Sequence, residues 1–280
     1  MNTMNILITN DDGYQAKGIR VLAEIMCQFG SVTVIAPKFH QSGMSMAVSL
    51  GFRQIGYKKL PQLGPGDWSY LDATPASCVK FAVNLGLQPD VVLSGINHGH
   101  NAASASCYSG TLGAAAEAAL NGFRAIGVSL DSLDGDADFS AVRAHFPLLF
   151  ERLMAVPIDR YGIYYNVNFP NLPANEIRGI RVGHQGMGKW IREFKEWNSD
   201  LYQKFGIDPG SFGFRGMGNA EAGETPYMMS GQFVDDPRNT ERADHRLMQA
   251  GYISITPDHL DMTDEAEKER LLFQGFDTDF

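Results

Sequence analysis

Residues 4–13, MNILITNDDG, consist of a short apolar run followed by two adjacent aspartates and a glycine. The apolar run at 4–9 predicts a buried β-strand, and apolar residues then recur at helical spacing over residues 19–29. A second apolar run, SVTVIA, occupies residues 31–36. Because a strand, a helix and a second strand in this order are typical of a parallel βαβ unit, this stretch indicates the fold class.

The alternation of strand and helix patterns continues beyond this first unit. Thr74 followed by Pro75 predicts a helix N-terminus, because proline is favoured at the first helical position. Further strands and helices alternate along the chain at residues 89–94, 109–121, 124–130 and 139–154. We therefore predict an α/β fold with a Rossmann-like, doubly wound and mostly parallel sheet.

The regular pattern declines after about residue 135. Residues 164–169 and 251–256 still predict strands, whereas residues 185–236 are rich in glycine, methionine and aromatic residues without a clear period. We predict loops and hairpins in that stretch. The expected division is a Rossmann-like core at residues 1–135 and a C-terminal portion at residues 136–280 that completes the core.

The composition excludes several classes of protein. The chain has 280 residues, of which 44% are hydrophobic and 20% charged, as in ordinary globular proteins. Its net charge of −9 argues against a binder of nucleic-acid polymers or of anionic membranes, because both need basic surfaces. No apolar run approaches the roughly 18 residues of a membrane span, and the N-terminus lacks a signal-peptide pattern, so we expect a cytoplasmic protein.

The cysteines and the acidic residues refine this view. Cys27, Cys78 and Cys107 are far apart and odd in number, which predicts neither a disulfide framework nor a thiolate zinc site. Eight of the 32 acidic residues lie within residues 258–280. Most of the net charge therefore belongs to a C-terminal segment, and it does not argue against a small phosphorylated ligand in the core.

Asp11 and Asp12 stand where a dinucleotide-binding fold would carry a glycine-rich turn after its first strand. Two carboxylates there repel phosphate directly, but they suit a hard divalent cation, which prefers oxygen ligands and can bridge to phosphate. The alternative is a turn in which each aspartate caps the following backbone. Two adjacent acids at the carboxyl end of a strand favour the cation.

Other polar groups follow the strands at the same predicted sheet edge. Ser42 and Asn97 offer a hydroxyl and an amide oxygen, both acceptable to magnesium or manganese, although each residue alone is also a common turn former. Ser109, Gly110 and Thr111 begin a predicted helix, whose unpaired N–H groups can bind an anion or be capped by Ser109. Their convergence predicts a cation site beside a phosphate site.

Three histidines, His40, His98 and His100, lie in these same loops. They could act as general acids, bind a softer metal, or remain neutral and face solvent, and their spacing matches no zinc motif. Ser94 lacks the preceding glycine of a GxSxG nucleophile motif, which disfavours a serine hydrolase.

With NDDG (10–13), the SG of HQSG (40–43), SGINHGHN (94–101) and YSGT (108–111), the chain resembles the stationary-phase survival protein SurE family of metal-dependent nucleotidases. The resemblance is strongest in the first 130 residues, and weaker similarities continue at NVNFPNLP and at GYISITP. It implies a hydrolase, a phosphomonoesterase that acts on nucleoside monophosphates at the 5′ and often the 3′ position, with exopolyphosphatase activity as a further implied reaction.

The resemblance also implies residue roles and an assembly. It places one divalent cation per subunit, magnesium or manganese with calcium as an acceptable substitute, on Asp11, Asp12, Ser42 and Asn97. Asp11, Asp12 and Asn97 would be catalytic, and the phosphate contacts would be Gly43, Asn101, Ser109, Gly110 and Thr111. Members of the family usually form dimers or tetramers through exchanged C-terminal elements, so the C-terminal portion would form subunit contacts.

Several positions depart from the family pattern. Lys38 replaces a common acid, Phe39, His40 and Gln41 replace a more basic stretch, and residues 102–106 continue their loop unusually. These changes put base preference and efficiency in question and leave open a catalytically weak or silent oligomeric protein. A phospho-receiver-like module is a second alternative, but it needs an acceptor aspartate at the end of a later strand, where this chain has Ser94.

Overall fold

The computed structural model describes residues 4–51, 53–61, 63–198 and 220–278. Its main sheet has nine strands, which in chain order are β1 (Met4–Thr9), β2 (Gly30–Pro37), β3 (Tyr57–Lys59), β4 (Asp67–Leu71), β5 (Val91–His98), β6 (Arg124–Leu130), β7 (Ile163–Phe169), β8 (Ile180–Val182) and β13 (Ile253–His259). The described helices are α1 (Lys17–Met26), α2 (Pro75–Asn84), α3 (Gly110–Leu120), α4 (Ser140–Ala155), α5 (Asp244–Gln249) and α6 (Glu265–Phe273).

The strands lie in the order β3-β4-β2-β1-β5-β6-β7-β13-β8. The six strands from β4 to β7 are parallel to their neighbours, whereas β3 pairs antiparallel with β4 and β13 pairs antiparallel with β7. The predicted α/β class with a mostly parallel sheet is confirmed. Its central strands are apolar on both faces because helices cover both sides of the sheet.

Two apolar clusters fill the spaces between the sheet and its helices. One cluster joins Ile8 and Val34 of the sheet to α1 and α4, and the other joins Leu7 and Val92 to α2 and α3. The alanine-rich sequence of α3 permits a close approach to the sheet, and every residue of α3 before Leu120 is buried. This close packing holds the start of α3 at the carboxyl edge of β1.

Strand β5 is longer than the sequence pattern predicted. The apolar run ends at Ser94, but the strand continues to His98 after a shift of register between Ser94 and Asn97. Gly95 permits this irregularity, since its φ is 139° and an added Cβ would lie 2.2 Å from the carbonyl oxygen of Val128. Asn97 therefore projects from a paired strand rather than from a free loop.

The C-terminal half contributes to the same sheet and also carries the predicted hairpins. Four short strands, β9 (Gly188–Ile191), β10 (Phe194–Glu196), β11 (Tyr227–Met229) and β12 (Gln232–Asp235), pair antiparallel as β9 with β12 and β10 with β11. The part of the predicted loop and hairpin stretch at 199–219 lies outside the described residues. Residue 135, the predicted boundary, falls between β6 and α4.

Helix α6 lies near the C-terminus of the described residues. Every residue of α6 is exposed, in agreement with its acidic composition. Across the described ranges, every helix is too short or too polar to cross a lipid bilayer.

Candidate active site

The predicted site residues converge at the carboxyl ends of three adjacent strands, β2, β1 and β5. The backbone N–H of Gln41, in the loop after β2, donates to the carbonyl oxygen of Asp11 at 2.6 Å. The backbone N–H of His98, at the end of β5, donates to Oδ2 of Asp12 at 3.1 Å. These contacts join the three strand ends around the aspartate pair, which is the usual ligand position in an open α/β sheet.

Asp11 is 3% exposed and lies against the start of α3. Its Oδ1 accepts a hydrogen bond from the Thr111 hydroxyl at 2.7 Å. An added Cβ on Gly110 would lie 2.9 Å from Cβ of Asp11, so α3 can begin this close only because residue 110 is glycine. Burial raises the pKa of Asp11, although the Thr111 hydroxyl opposes that rise by stabilising the charged carboxylate.

Asp12 is the second buried carboxylate, and its pKa is raised well above the usual range by burial and then by the charge of Asp11. Nδ1 of His40 lies 3.4 Å from Oδ1 of Asp12. Burial lowers the pKa of His40 to about 4, so the ring is neutral near pH 7 and this contact is not an ion pair there. Near pH 7 the neutral ring of His40 thus adds no positive charge beside the aspartate pair.

Asn97 and Ser42 supply the neutral oxygen atoms of the predicted metal site. Nδ2 of Asn97 donates to the carbonyl oxygen of Gly99 at 2.7 Å, so the amide atom left to bind a ligand is Oδ1. Ser42 is exposed and directly follows Gln41, whose backbone is bonded to Asp11. In the part of the chain described, no group of three or more His, Cys, Asp or Glu side chains could hold a metal ion. A cation here would therefore need the amide and the hydroxyl in addition to the two carboxylates.

This donor set fits a hard divalent cation. It consists of carboxylate, amide and hydroxyl oxygens, which magnesium, manganese and calcium prefer over nitrogen or sulfur ligands. The two buried carboxylates also repel one another, and a cation between them would remove that cost. The chemistry of Asp11, Asp12, Asn97 and Ser42 is thus compatible with the predicted ion.

The predicted phosphate contacts have different surroundings. Ser109 caps α3, since its Oγ accepts from the Leu112 N–H at 3.0 Å, as the capping alternative predicted. Gly43 is exposed, with a φ of 77° and open space at its Cβ position. Thr111 is buried and directed to Asp11, and Asn101 is buried with its Nδ2 bonded to Oγ of Ser129 at 2.9 Å.

Several supporting residues were not predicted from the sequence. The Asn101 N–H donates to Oδ1 of Asn168 at 2.7 Å, and the Asn101 carbonyl accepts from Nδ2 of Asn166 at 2.8 Å. The NVNF stretch carried a usable signal, because residues two apart on a strand point to the same face. Asn10 was also missed. Its Nδ2 closes the turn to the carbonyl oxygen of Gly13 at 3.0 Å.

His98 at the end of β5 contacts the loop after β6, and His100 makes a contact within the loop after β5. Nδ1 of His98 lies 2.8 Å from the carbonyl oxygen of Asp134, and burial lowers the pKa of His98. Nδ1 of His100 lies 3.3 Å from the backbone N–H of Ala102, which donates to it. The His98 ring therefore stabilises the loop after β6, and the His100 ring stabilises the loop after β5.

The fold and this edge define a Rossmann-like α/β protein with a paired-carboxylate site. Residues 6–192 match the family model described as "Survival protein SurE", and the chain belongs to that family. It is 37% identical over 262 residues to the "5'-nucleotidase SurE" of Cytophaga hutchinsonii, which covers 92% of each chain. It is 36% identical over 265 residues to the protein of the same name from Syntrophobacter fumaroxidans, covering 93% of this chain and 95% of that one.

A solved structure gives the same relationship. The crystal structure of the SurE protein from Aquifex aeolicus superposes with a TM-score of 0.74 at 27% sequence identity. The match covers 96% of this chain and 99% of that chain. The similarity therefore extends through the C-terminal half, where the sequence motifs are weaker.

Proposed function

We propose that this chain is a divalent-metal-dependent phosphomonoesterase that hydrolyses nucleoside monophosphates to a nucleoside and inorganic phosphate. The observation that carries the proposal is the buried pair of Asp11 and Asp12 beside the start of α3, at the carboxyl edge of the sheet. The relatives named 5′-nucleotidase support a 5′ ester as the substrate. Action on 3′ esters and on short polyphosphate is a further part of the proposal, and rests on the family resemblance alone.

The proposed cation ligands are the carboxylates of Asp11 and Asp12, Oδ1 of Asn97 and the hydroxyl of Ser42. One ion per subunit satisfies this set, with magnesium or manganese as the physiological choice. When bound, such an ion supplies Lewis-acid stabilisation and neutralises charge on the phosphate monoester. The support for this assignment is the oxygen-only donor set, together with the fixed amide of Asn97.

The residues of the chain then position the substrate and the attacking water. Asp11 or Asp12 accepts a hydrogen bond from that water and orients its oxygen in line with the scissile P–O bond. The water oxygen forms the new bond to phosphorus and loses one proton, while the bond to the nucleoside oxygen breaks and that oxygen takes up one proton. The backbone N–H groups of Gly110 and Thr111 lie in the first turn of α3. The partial positive charge at this helix N-terminus stabilises phosphate oxygens. Gly43, Ser109 and Asn101 complete the proposed phosphate side.

The chemical test is phosphate release from purified nucleoside 5′- and 3′-monophosphates with magnesium or manganese. We expect turnover that disappears in chelator and returns when metal is added. Asp12→Asn removes one anionic ligand at nearly constant volume, and we expect kcat/KM to fall by about 100-fold or more. The matched control is Asp72→Asn, which changes a carboxylate bonded to Arg53.

Full activity in chelator, or in the Asp12→Asn variant, would remove the metal assignment. A folded parent protein that releases no phosphate from any nucleotide would instead favour the silent oligomeric alternative. A reducing, cytoplasmic setting belongs to the same proposal, and three free cysteines support it.

A further inference from the structure

Asp244 is a fully buried carboxylate at the first position of α5, far along the chain from the aspartate pair. Its Oδ1 and Oδ2 accept from the backbone N–H of Ala103 at 3.0 and 3.1 Å. Oδ1 also accepts from the N–H of Gly186 at 3.0 Å and from that of His245 at 2.8 Å. One side chain thus joins three separate segments.

Ala103 starts a short 3-10 segment, Ala103–Tyr108, which lies between β5 and α3 and is called the turn below. Its φ is 51°, a left-handed conformation that is unfavourable for a residue with a Cβ, so the bonds from Asp244 stabilise a strained position. The turn continues through Ser106, whose Oγ donates to the Ala103 carbonyl at 2.7 Å. The Ser109 N–H then donates to the Ser106 carbonyl at 3.2 Å, directly before α3.

We propose that Asp244 is a positioning residue for the phosphate side of the site, acting through this turn on the start of α3. The inference rests on the proposed function for its kinetic consequences. Ala103 follows Asn101 by two residues, and Ser109 immediately precedes Gly110 and Thr111. The turn that Asp244 holds therefore lies between Asn101 and residues 109–111 of the proposed phosphate contacts.

The contact with the turn uses both oxygens of the Asp244 carboxylate. The backbone groups directed at Asp244 from Ala103, Gly186 and His245 are all N–H donors. A carboxylate accepts at both oxygens, whereas an asparagine at the same place would direct its own NH₂ group at one of these donors. Asp244→Asn keeps the volume of the side chain. With Oδ1 retained as the acceptor for all three N–H groups, the NH₂ group replaces Oδ2 and faces the N–H of Ala103, so the variant weakens the bond to the turn.

Asp235 provides a matched control within the same part of the molecule. It accepts from Nε2 of His245 at 2.9 Å and from Nε of Arg246 at 3.0 Å, so it contacts α5, the helix that Asp244 begins. It accepts hydrogen bonds from Asn239, His245 and Arg246, which all lie in the C-terminal half. Asp235→Asn therefore perturbs the surroundings of α5 without removing a bond to the turn.

The experiment compares the full-length parent with Asp244→Asn and Asp235→Asn in three measurements. These are calorimetric titration of manganese-loaded protein with inorganic phosphate, KM and kcat for a nucleoside monophosphate, and hydrogen exchange of residues 103–111. We expect Asp244→Asn to weaken phosphate binding and to raise KM about tenfold each, with faster exchange in the turn. Asp235→Asn should change KM and phosphate affinity less than about twofold.

Unchanged KM and phosphate affinity in folded Asp244→Asn, or an equal loss in Asp235→Asn, overturns the inference. If Asp244→Asn does not fold, Ser106→Ala removes the next bond of the path, and we expect KM to rise about threefold, with an unchanged value overturning the inference. A parent that binds phosphate without turning over nucleotides contradicts the proposed function alone, and the titration then still decides the role of Asp244. A parent that binds no phosphate overturns both.

Discussion

Gly110 fixes the distance between α3 and the aspartate pair. An added Cβ there would lie 2.9 Å from Cβ of Asp11 and 3.0 Å from the Gln41 carbonyl oxygen. Neither neighbour can move independently, because the Gln41 N–H is bonded to the Asp11 carbonyl. A side chain at residue 110 must therefore displace the loop after β2, the turn after β1, or α3 itself.

We expect Gly110→Ala to lower kcat/KM by about 10- to 100-fold, because the displaced Asp11 no longer meets the geometry of the site. The same overpacking should lower the free energy of unfolding by about 1–3 kcal/mol. Both quantities are measurable by steady-state kinetics and by denaturant titration. Gly51→Ala is the control, since Gly51 has open space at its Cβ position. Equal kinetic constants for the two variants would contradict the close approach of Gly110 to Asp11.

The aspartate pair could be predicted from the sequence because Asp11 and Asp12 directly follow an apolar strand, and parallel strands end at one edge. The hydrogen-bond partners of Asn101 could not be predicted in this way. Asn168 lies 67 residues away, and the contact depends on the parallel pairing of β7 with β6. Asp244 is a stronger case, because 141 residues separate it from Ala103. The alternation in NVNF places Asn166 and Asn168 on one face of a strand, but a local pattern does not identify the distant residue that such a side chain bonds.

At the scale of secondary structure, β13 brings a second acidic group into the packed region beside β7. Asp258 lies opposite Tyr164 in the antiparallel pair. Burial, followed by the nearby charge of Asp244, raises the pKa of Asp258 from 3.8 to about 7. The pKa of the Tyr164 hydroxyl is raised as well, by burial and then by Asp258. The pairing of these strands therefore favours the protonated form of Asp258.

This pKa predicts how stability changes with pH. Between about pH 4 and pH 7 the folded protein retains a proton on Asp258 that the unfolded chain has released, so the free energy of unfolding falls as pH rises. Asp258→Asn stays neutral and should lack this fall, which we expect to total about 2 kcal/mol after allowance for partial exposure.

Denaturant titrations at pH 5 and pH 8 measure the difference between the parent and Asp258→Asn. The control is Asp261→Asn, because Asp261 is an exposed acid of the same segment whose pKa is lowered by Thr263. Asp261→Asn should give no gain in stability at pH 8. A gap between the parent and Asp258→Asn that stays constant from pH 5 to pH 8 would contradict the raised pKa.

For the whole molecule, the sequence predicted the fold better in the first half than in the second. Long strands that are buried on both faces, such as β1 and β5, appear in the sequence as continuous apolar runs, which are easily recognised. The short strands β9 to β12 are half exposed, so no continuous apolar run marks them. The division of the chain at residue 135 stays a prediction, and β7 and β13 extend the first-half sheet beyond that point.

The predicted self-association as a dimer or tetramer needs an exposed contact surface. Phe194 and Met229 face each other across the β10–β11 pair and are 67% and 68% exposed. Adjacent apolar side chains at such exposure are typical of a subunit contact. We expect the double variant Phe194→Ser, Met229→Ser to shift the protein toward monomer in sedimentation experiments. The control is Leu148→Ser on α4, and an unchanged mass for the double variant would contradict this location.

Strand β13 also has a consequence for synthesis. It lies between β7 and β8 in the folded sheet, although its first residue follows the first residue of β8 by more than 70 positions and is therefore synthesised later. During translation β8 consequently has no neighbour in the main sheet until residues 253–259 leave the ribosome. Domains fold largely from the N-terminus as they emerge. The nascent chain can thus assemble the edge that carries Asp11 and Asp12 early, whereas Asp244 reaches its loop only in the last stage of folding.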